Sequence, residues 1–207
     1  METKAKILAT MKRLASDRGF HAVTTDELAA ACGISKRTLY RYFNSKDEIV
    51  EQVLDNLLTE VGTRVQEILA GPLSPPAKLQ AMARAVAEGV SFLEPQIFHD
   101  LQRHYPHLWE KIDRFRAERM EKLGQVYLEG CQKGYFKEFN VEVVINSFLA
   151  AVRAIINPGF FTSHNISLPL ALDTLVEIFL CGISKVTPCN EGQEPGRIIP
   201  PLAAKVN

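Results

Sequence analysis

The sequence predicts an all-α fold in which a three-helix helix-turn-helix head precedes a larger helical domain, with about nine helices in total. Apolar residues recur at the spacing of one helix face along most of the 207 residues, and no strand-like alternation stands out. Ser and Thr precede several of these segments as helix caps, and Gly and Pro cluster where the segments end. Together these three observations indicate a chain of short and long helices.

The first helix is predicted over about residues 3–18. Ile7 and Met11 share one face of it, and Gly19 ends it. The fourth helix is long and amphipathic, and Ser45 with Glu48 is predicted to form a capping box at its start.

Between them lie two short helices. Thr24 and Glu27 are predicted to form a capping box for a second helix over residues 25–32. Gly33 is expected to end that helix in the left-handed conformation, and Ser35 to cap a third helix that reaches about residue 42.

The Gly- and Pro-rich stretch 71–76 is interpreted as a hinge after the fourth helix. Five further helices follow. They are expected over about 77–93, from Pro95, from Pro106 to about 133, over 141–156 and over 168–184. A loose tail is expected over 187–207, where little periodicity is present.

The composition excludes several classes of protein. With 46% apolar and 23% charged residues, the chain has enough apolar surface to fold. No run approaches the ~18 apolar residues of a membrane span, and the start lacks the apolar core of a signal peptide. The four cysteines show no zinc-finger or CxxC spacing. We therefore expect a cytoplasmic protein with no membrane partner, no metal and no cofactor.

The net charge is distributed unevenly. Residues 1–50 hold nine Lys/Arg against six Asp/Glu, whereas the remaining residues hold 15 against 18. A modestly basic head on a modestly acidic body favours contact between the head and a polyanion.

The segment 24–47 has the pattern of a helix-turn-helix. Leu28 and Cys32 on its first helix and Leu39 and Phe43 on its second are expected to form a small core. The second helix then presents basic and hydroxyl side chains outward, as entry into a major groove requires.

At these residues the chain resembles the TetR family of bacterial transcriptional regulators. The resemblance covers about the first fifty residues. It is carried by Leu28-Ala29, Gly33-Ile34-Ser35-Lys36, Thr38-Leu39-Tyr40, Tyr42-Phe43 and Lys46-Asp47-Glu48.

The resemblance implies a set of DNA-contacting residues. It comprises Thr24, Thr25, Ser35, Lys36, Arg37, Thr38, Tyr40, Arg41, Tyr42 and Lys46. Other roles stay open at this stage: Tyr42 in the core, Thr24 as a helix cap alone, and Lys36 and Arg37 as merely solvated.

The resemblance also implies a pocket for a small, largely apolar effector in the body. The candidate lining residues are Phe92, Phe98, Leu101, Trp109, Ile112, Phe115, Phe148 and Val152. Apolar residues at helical spacing usually pack as ordinary core, so that alternative stays open for each of them.

The last two helices carry more apolar residues than one face needs. We expect the surplus to pair across a two-fold axis, as half of a four-helix bundle in a homodimer. The candidate interface residues are Ile145, Phe148, Leu149, Leu172, Leu175, Ile178 and Phe179.

The implied organisation is a DNA-binding head at 1–48, a ligand-binding and dimerisation body at 49–186 with the fourth helix as connector, and the tail at 187–207. The implied function is a ligand-responsive regulator, favoured as a repressor, that binds a palindromic double-stranded DNA operator as a homodimer. Alternatives are a constitutive or architectural DNA-binding protein without effector, a transcriptional activator, and an enzyme or carrier. No catalytic motif favours the enzyme.

Overall fold

The structure is a computed structural model that describes residues 2–16, 18–89, 95–157, 160, 164 and 166–185. Over these residues it is helical apart from turns, loops and an isolated bridge between Phe136 and Ser184, so the all-α prediction is confirmed. Nine helices have bounds within the described residues. They are α1 Glu2–Ala15, α2 Thr25–Cys32, α3 Lys36–Tyr42, α4 Lys46–Ala70, α5 Pro75–Gly89, α6 Pro95–His104, α7 Pro106–Gln132, α8 Val141–Ile155 and α9 Leu168–Ile183.

The helix boundaries differ from the predicted ones in two places. Helix α1 ends at Ala15, and Gly19 follows in the left-handed conformation with its N–H donated to the Ala15 carbonyl at 2.8 Å. Helix α5 begins at Pro75, inside the stretch interpreted as a hinge, because proline suits a first helical turn. The predicted tail at 187–207 lies outside the described residues.

The first 48 residues, called the head below, pack around one apolar centre. Helix α1 lies against α2 and α4, and α2 lies against α3. The side chains that fill this centre are fully buried, and they are Ile7, Met11, Phe20, Leu28, Leu39 and Phe43.

The residues from 49 onward, called the body, form a helical layer structure. Helix α4 packs on α5 and α7, and α5 packs on α7 and α9. Helix α8 completes the arrangement by packing on α7 and α9. The backbone of Gly130 on α7 lies close to the Phe136 ring. A Cβ at this position would be 2.1 Å from the ring, so only glycine fits there.

Besides the packing of α1 on α4, head and body also meet where the loop between α1 and α2 lies on α6. The buried Asp100 carboxylate of α6 accepts the His21 backbone N–H at 2.8 Å, and the His21 ring stacks on His104 at 3.7 Å. Lys46 donates its Nζ to the His21 carbonyl at 2.6 Å. A side chain at Gly19 would come within 3.0 Å of Asp100. One helix of the body therefore holds the head's first loop in place.

Candidate nucleic-acid interface and internal cavity

The turn between α2 and α3 has the geometry of a helix-turn-helix. Gly33 adopts a φ of 67°, and its N–H bonds to the Ala30 carbonyl at 3.0 Å. The Ile34 N–H bonds to the Ala29 carbonyl at 3.0 Å, so two of the four orphan carbonyls at the end of α2 are satisfied. The turn thus positions α3 rigidly across α2.

The predicted capping box at α2 is only half formed. Thr24 Oγ1 accepts the Glu27 N–H at 3.2 Å, which confirms the cap. Glu27 does not return a bond to Thr24 among the described contacts, because its carboxylate pairs with Arg18 instead. Glu48 behaves similarly: it accepts from Asn44 N at 2.7 Å rather than from the cap residue Ser45.

One face of α3 presents basic and aromatic side chains to solvent. Tyr40 is 44% and Tyr42 38% exposed, so Tyr42 does not belong to the core. Lys36, Arg37 and Arg41 are exposed on the same short helix. The opposite face buries Leu39, and Phe43 is buried directly after the helix, as the helix-turn-helix pattern predicts.

Some of the predicted DNA contacts are engaged within the chain. Lys36 Nζ bonds Asp26 Oδ2 at 2.9 Å, and this bond raises the pKa of Lys36 above its ordinary value. Ser35 caps α3 by accepting the Thr38 N–H at 3.1 Å, and the two hydroxyl oxygens lie 2.9 Å apart. Thr25, the first residue of α2, is half-buried.

Lys46 and two arginines complete the predicted set. Burial lowers the pKa of Lys46, and its Nζ is held by the His21 carbonyl. Arg37 and Arg41 make neither an ion pair nor a hydrogen bond within the described part of the chain. They are therefore the cations of α3 that are available to an external anion.

The body encloses a cavity of about 160 Å³ between α4, α5, α6, α7, α8 and α9. Its wall is almost wholly apolar. Among the predicted ligand-binding residues, Phe98, Ile112, Phe115, Phe148 and Val152 line it.

Two of the predicted ligand-binding residues in the described part of the chain are not among those that line the cavity. Leu101 is fully buried on α6 and belongs to the packed core. Trp109 is partly buried against the core and lies edge-on to Phe98, at 6.3 Å between ring centroids. Both residues therefore belong to the packing around the cavity and not to its lining. Phe92 lies outside the described residues.

Sequence reasoning missed two charged residues of this wall, Arg116 and Arg119 on α7. The charged run in α7 resembles a solvated helix face, which hid them. A signal was available, because they follow Ile112 and Phe115 by four residues and so share their face.

The predicted dimer residues fall into three groups. Leu149, Leu172 and Leu175 are buried in their own subunit, so their placement on an exposed pairing face is wrong. Phe148 and Phe179 face the cavity and contact each other edge-to-face at 4.8 Å. These five residues are used within the subunit because the core and the cavity wall need that apolar face.

The outward face of α8 and α9 has a different set of residues. Ile178 is 64% exposed, and Ile145 is half-buried beside Gly124 of α7. An exposed strip of apolar and small residues runs along the two helices. It consists of Val143, Ser147, Ala150 and Ala154 on α8 and Leu170, Thr174, Ile178 and Gly182 on α9, and is called the outer strip below.

Comparison with known proteins gives a consistent result. A family model described as bacterial regulatory proteins, tetR family, matches residues 7–53. An uncharacterized HTH-type transcriptional regulator of Bacillus subtilis, YvaF, is 26% identical over 180 residues, covering 86% of this chain and 94% of that protein. The HTH-type transcriptional repressor KstR2 of Mycolicibacterium smegmatis is 28% identical over 144 residues, covering 67% of this chain and 70% of the repressor.

A solved structure shares the fold. The TetR/AcrR-family transcriptional regulator from Thermobifida fusca superposes with a TM-score of 0.69 at 19% identity, covering 88% of this chain and 98% of that chain. Every helix in the described part of the chain is either too short or too polar to span a lipid bilayer.

A helix-turn-helix head with an exposed basic helix, joined to a helical body, defines a DNA-binding transcriptional regulator rather than an enzyme. Residues 7–53 match the model of bacterial regulatory proteins of the tetR family, and over most of its length the chain is similar to transcriptional regulators.

Proposed function

We propose that this protein is a homodimeric repressor that binds a palindromic operator and is released by a small, largely apolar effector. The head, residues 1–48, reads DNA, and the body, residues 49–186, binds the effector and dimerises. The observation that carries the proposal is the coexistence of an exposed basic helix and an enclosed apolar cavity, joined by α6. A repressor is favoured because KstR2 is named as one.

Helix α3 is the element proposed to enter the major groove. Arg37 and Arg41 supply charge that is not consumed inside the chain, and the two tyrosines flank them on the exposed face. Thr24, Thr25, Ser35 and Thr38 lie at helix starts, where hydroxyls and backbone N–H groups meet phosphates. Lys36 and Lys46 reach DNA only by exchanging an existing partner.

The operator is tested by selecting binding sequences from random oligonucleotides with the pure protein. We expect a palindrome whose half-sites are about 34–36 Å apart or a multiple of that spacing. Arg37→Ala and Arg41→Ala should each weaken binding and reduce the salt slope by about one unit if they contact phosphate.

Arg84→Ala is the matched control for both variants, because Arg84 is an exposed arginine on α5. Equal affinity of both α3 variants and the wild-type protein would contradict this interface. A selected site without two-fold symmetry would contradict the palindrome.

The dimer is proposed to form through the outer strip. Val143, Leu170 and Ile178 are 63%, 58% and 64% exposed in the single chain. Apolar side chains on two adjacent helices form a surface that water disfavours, and pairing it across a two-fold axis removes it. Small residues between them allow two copies of α8 and α9 to approach closely.

Helix α6 is proposed to couple effector and DNA. Phe98 on α6 lines the cavity, and Asp100, two residues further, holds the head's first loop through the His21 N–H. A ligand that displaces Phe98 shifts this helix and changes the spacing of the two heads. Because the ligand binds the conformer with the altered spacing more tightly, it releases the protein from DNA.

Asp100→Ala tests the coupling. The variant should still bind the operator and ligands, but a given ligand should release less DNA, because the His21 N–H has lost its acceptor. Asp173→Ala, an exposed acid on α9, is the control. Unchanged release by Asp100→Ala would contradict α6 as the connection. A protein that no small molecule releases would instead fit the constitutive alternative.

A further inference from the structure

Two arginines place positive charge in an otherwise apolar cavity. Arg116 and Arg119 belong to its wall, and no Asp or Glu of the described chain does. Tyr127 also reaches the cavity, but its hydroxyl is already used: it donates to the Lys137 carbonyl at 2.7 Å and accepts the Phe139 N–H at 2.9 Å. The two guanidinium groups are therefore the groups available to a polar ligand atom.

Among the described residues, neither guanidinium has an acidic partner in a salt bridge. Asp113, one turn before Arg116, is bound by Arg153 through two hydrogen bonds of 2.9 and 2.7 Å. Burial lowers the pKa of Arg116 to about 10, which reflects the cost of holding that charge away from water.

Arg119 shows an unfilled bonding position. Its Nε is buried and has no hydrogen-bond partner within the described structure, while its guanidinium lies 4.4 Å from the Phe115 ring centroid. A buried donor without a partner is costly and uncommon in folded proteins, so it indicates a missing acceptor.

The surrounding backbone leaves room for this guanidinium. Gly62 on α4 has no side chain, and a Cβ there would lie 2.8 Å from Arg119 Nη2. Arg119, Phe115 and Leu58 also border a surface groove between α4 and α7. The arginine therefore stands between solvent and the apolar interior, where a ligand's polar end would remain after its tail has entered.

We propose that the effector is a monocarboxylate with an apolar tail, and that Arg119 binds the carboxylate through its Nε–H and one Nη–H. This inference rests on the proposed role of the cavity as the effector site. An arginine fork pairs with a carboxylate by two parallel hydrogen bonds, which fills the orphan Nε position. A volume of about 160 Å³ suits a short alkanoate or phenylalkanoate, since an apolar cavity of about 150 Å³ accepts benzene.

Matched acids and amides test whether the site binds the carboxylate of the proposed effector. Octanoate is compared with octanamide, and phenylbutyrate with phenylbutyramide, on the full-length protein. Trp109 is the single tryptophan and contacts both Phe98 and Arg116, so its fluorescence reports binding. In at least one pair the acid should bind about 10–100-fold more tightly than its amide, as a charge-assisted hydrogen bond predicts.

Two variants test whether Arg119 binds the carboxylate. Arg119→Met should remove the preference for the acid while the amide still binds. Gly62→Ala should reduce the preference by displacing the guanidinium without removing its charge, so it serves where Arg119→Met fails to fold. Arg114→Met is the control, because it makes the same charge change on the same helix, in the groove rather than the cavity.

Several results would overturn the proposal. They are equal binding of acid and amide in both pairs, absence of binding by all four probes, or an equal loss of preference in Arg114→Met and Arg119→Met. Operator release separates this inference from the proposed function. If amides release DNA as well as acids do, the effector site stands and the carboxylate assignment fails. If acids bind preferentially but DNA stays bound, the carboxylate assignment stands and the release function fails.

Discussion

The head and the body of this molecule differ in how completely their interiors are filled and their polar groups satisfied. In the head, Phe20, Leu39 and Phe43 are at most 1% exposed and pack into one centre. In the body, the helices enclose about 160 Å³ of cavity, and the Arg119 Nε lacks a hydrogen-bond partner among the described residues.

The difference corresponds to two tasks. A filled core holds α3 in one orientation, which reading a groove requires, because DNA contacts are lost with small displacements. A cavity allows the body helices to pack in more than one arrangement, so a ligand can stabilise one arrangement over another. Among the described residues, the head's cations without a partner, Arg37 and Arg41, lie at the surface. In the body, the Arg119 Nε without a partner lies inside.

The largest expected effect concerns the outer strip, which only the body has. Ile178→Glu should give a monomer in sedimentation, because a charge in an apolar interface lacks a partner. Operator affinity should fall about 10²–10⁴-fold, because two linked heads bind far more tightly than one.

Leu73→Glu is the control for that variant, since Leu73 is exposed and apolar but lies between α4 and α5. A dimeric Ile178→Glu protein with full affinity would place the interface elsewhere.

The next effect compares two phenylalanines. Phe43→Ala in the filled head should cost about 3–5 kcal/mol of unfolding free energy. Phe179→Ala in the cavity wall should cost less than half as much, since one side of that ring already faces empty space. Urea denaturation at one protein concentration measures both. Equal costs would show that the cavity closes in solution.

A matched pair of alanines sharpens the same contrast. Ala29 is 3% exposed where α2 packs in the head, so Ala29→Leu should destabilise by about 1–3 kcal/mol through overpacking. Ala83 lines the cavity, so Ala83→Leu should stay within about 0.5 kcal/mol of the wild-type protein or stabilise it. Thermal unfolding tests the order of the two; a reversed order contradicts the difference in packing.

The smallest expected effect is the surface pair that joins α7 to α8. Arg153 lowers the pKa of Asp113, chiefly by hydrogen bonding, so the pair stabilises the fold at neutral pH by about 0.5–1 kcal/mol after solvent screening. A depressed carboxylate pKa contributes stability above the unfolded pKa, and this contribution disappears as pH falls through the lowered folded pKa.

Arg153→Met should therefore match the wild-type protein in acid and be weaker at neutral pH. Urea midpoints at several pH values measure this. A constant difference across pH would assign the effect to packing of the arginine stem rather than to charge.

The helix-turn-helix was predictable because local signals suffice to define it. Thr24, Gly33 and Ser35 set the starts and the end of its helices through bonds within four residues along the chain. Leu39 and Phe43 follow a periodicity that admits one inward face. The same local reasoning predicted the all-α fold and the starts of α4, α7 and α8.

The division of apolar residues in the body was not predictable in the same way. Leu175 and Ile178 are equally apolar in sequence, yet the first is buried and the second is 64% exposed. Which of them faces the core depends on how α9 is rotated against α5 and α8, and that rotation is fixed by contacts between residues far apart in the chain.

The sequence by itself determined the all-α class, the bounds of α2 and α3, which face of α3 is polar, and the resemblance of the first fifty residues to the TetR family, because each depends on neighbours in the chain. Only the tertiary structure decided that Leu101 is core while Phe98 lines a cavity, that Asp100 holds the head, and that the Arg119 Nε is buried with no hydrogen-bond partner among the described residues. A void and an orphan donor are properties of several helices packed together. Their energies depend on distances across the fold, which no local periodicity encodes.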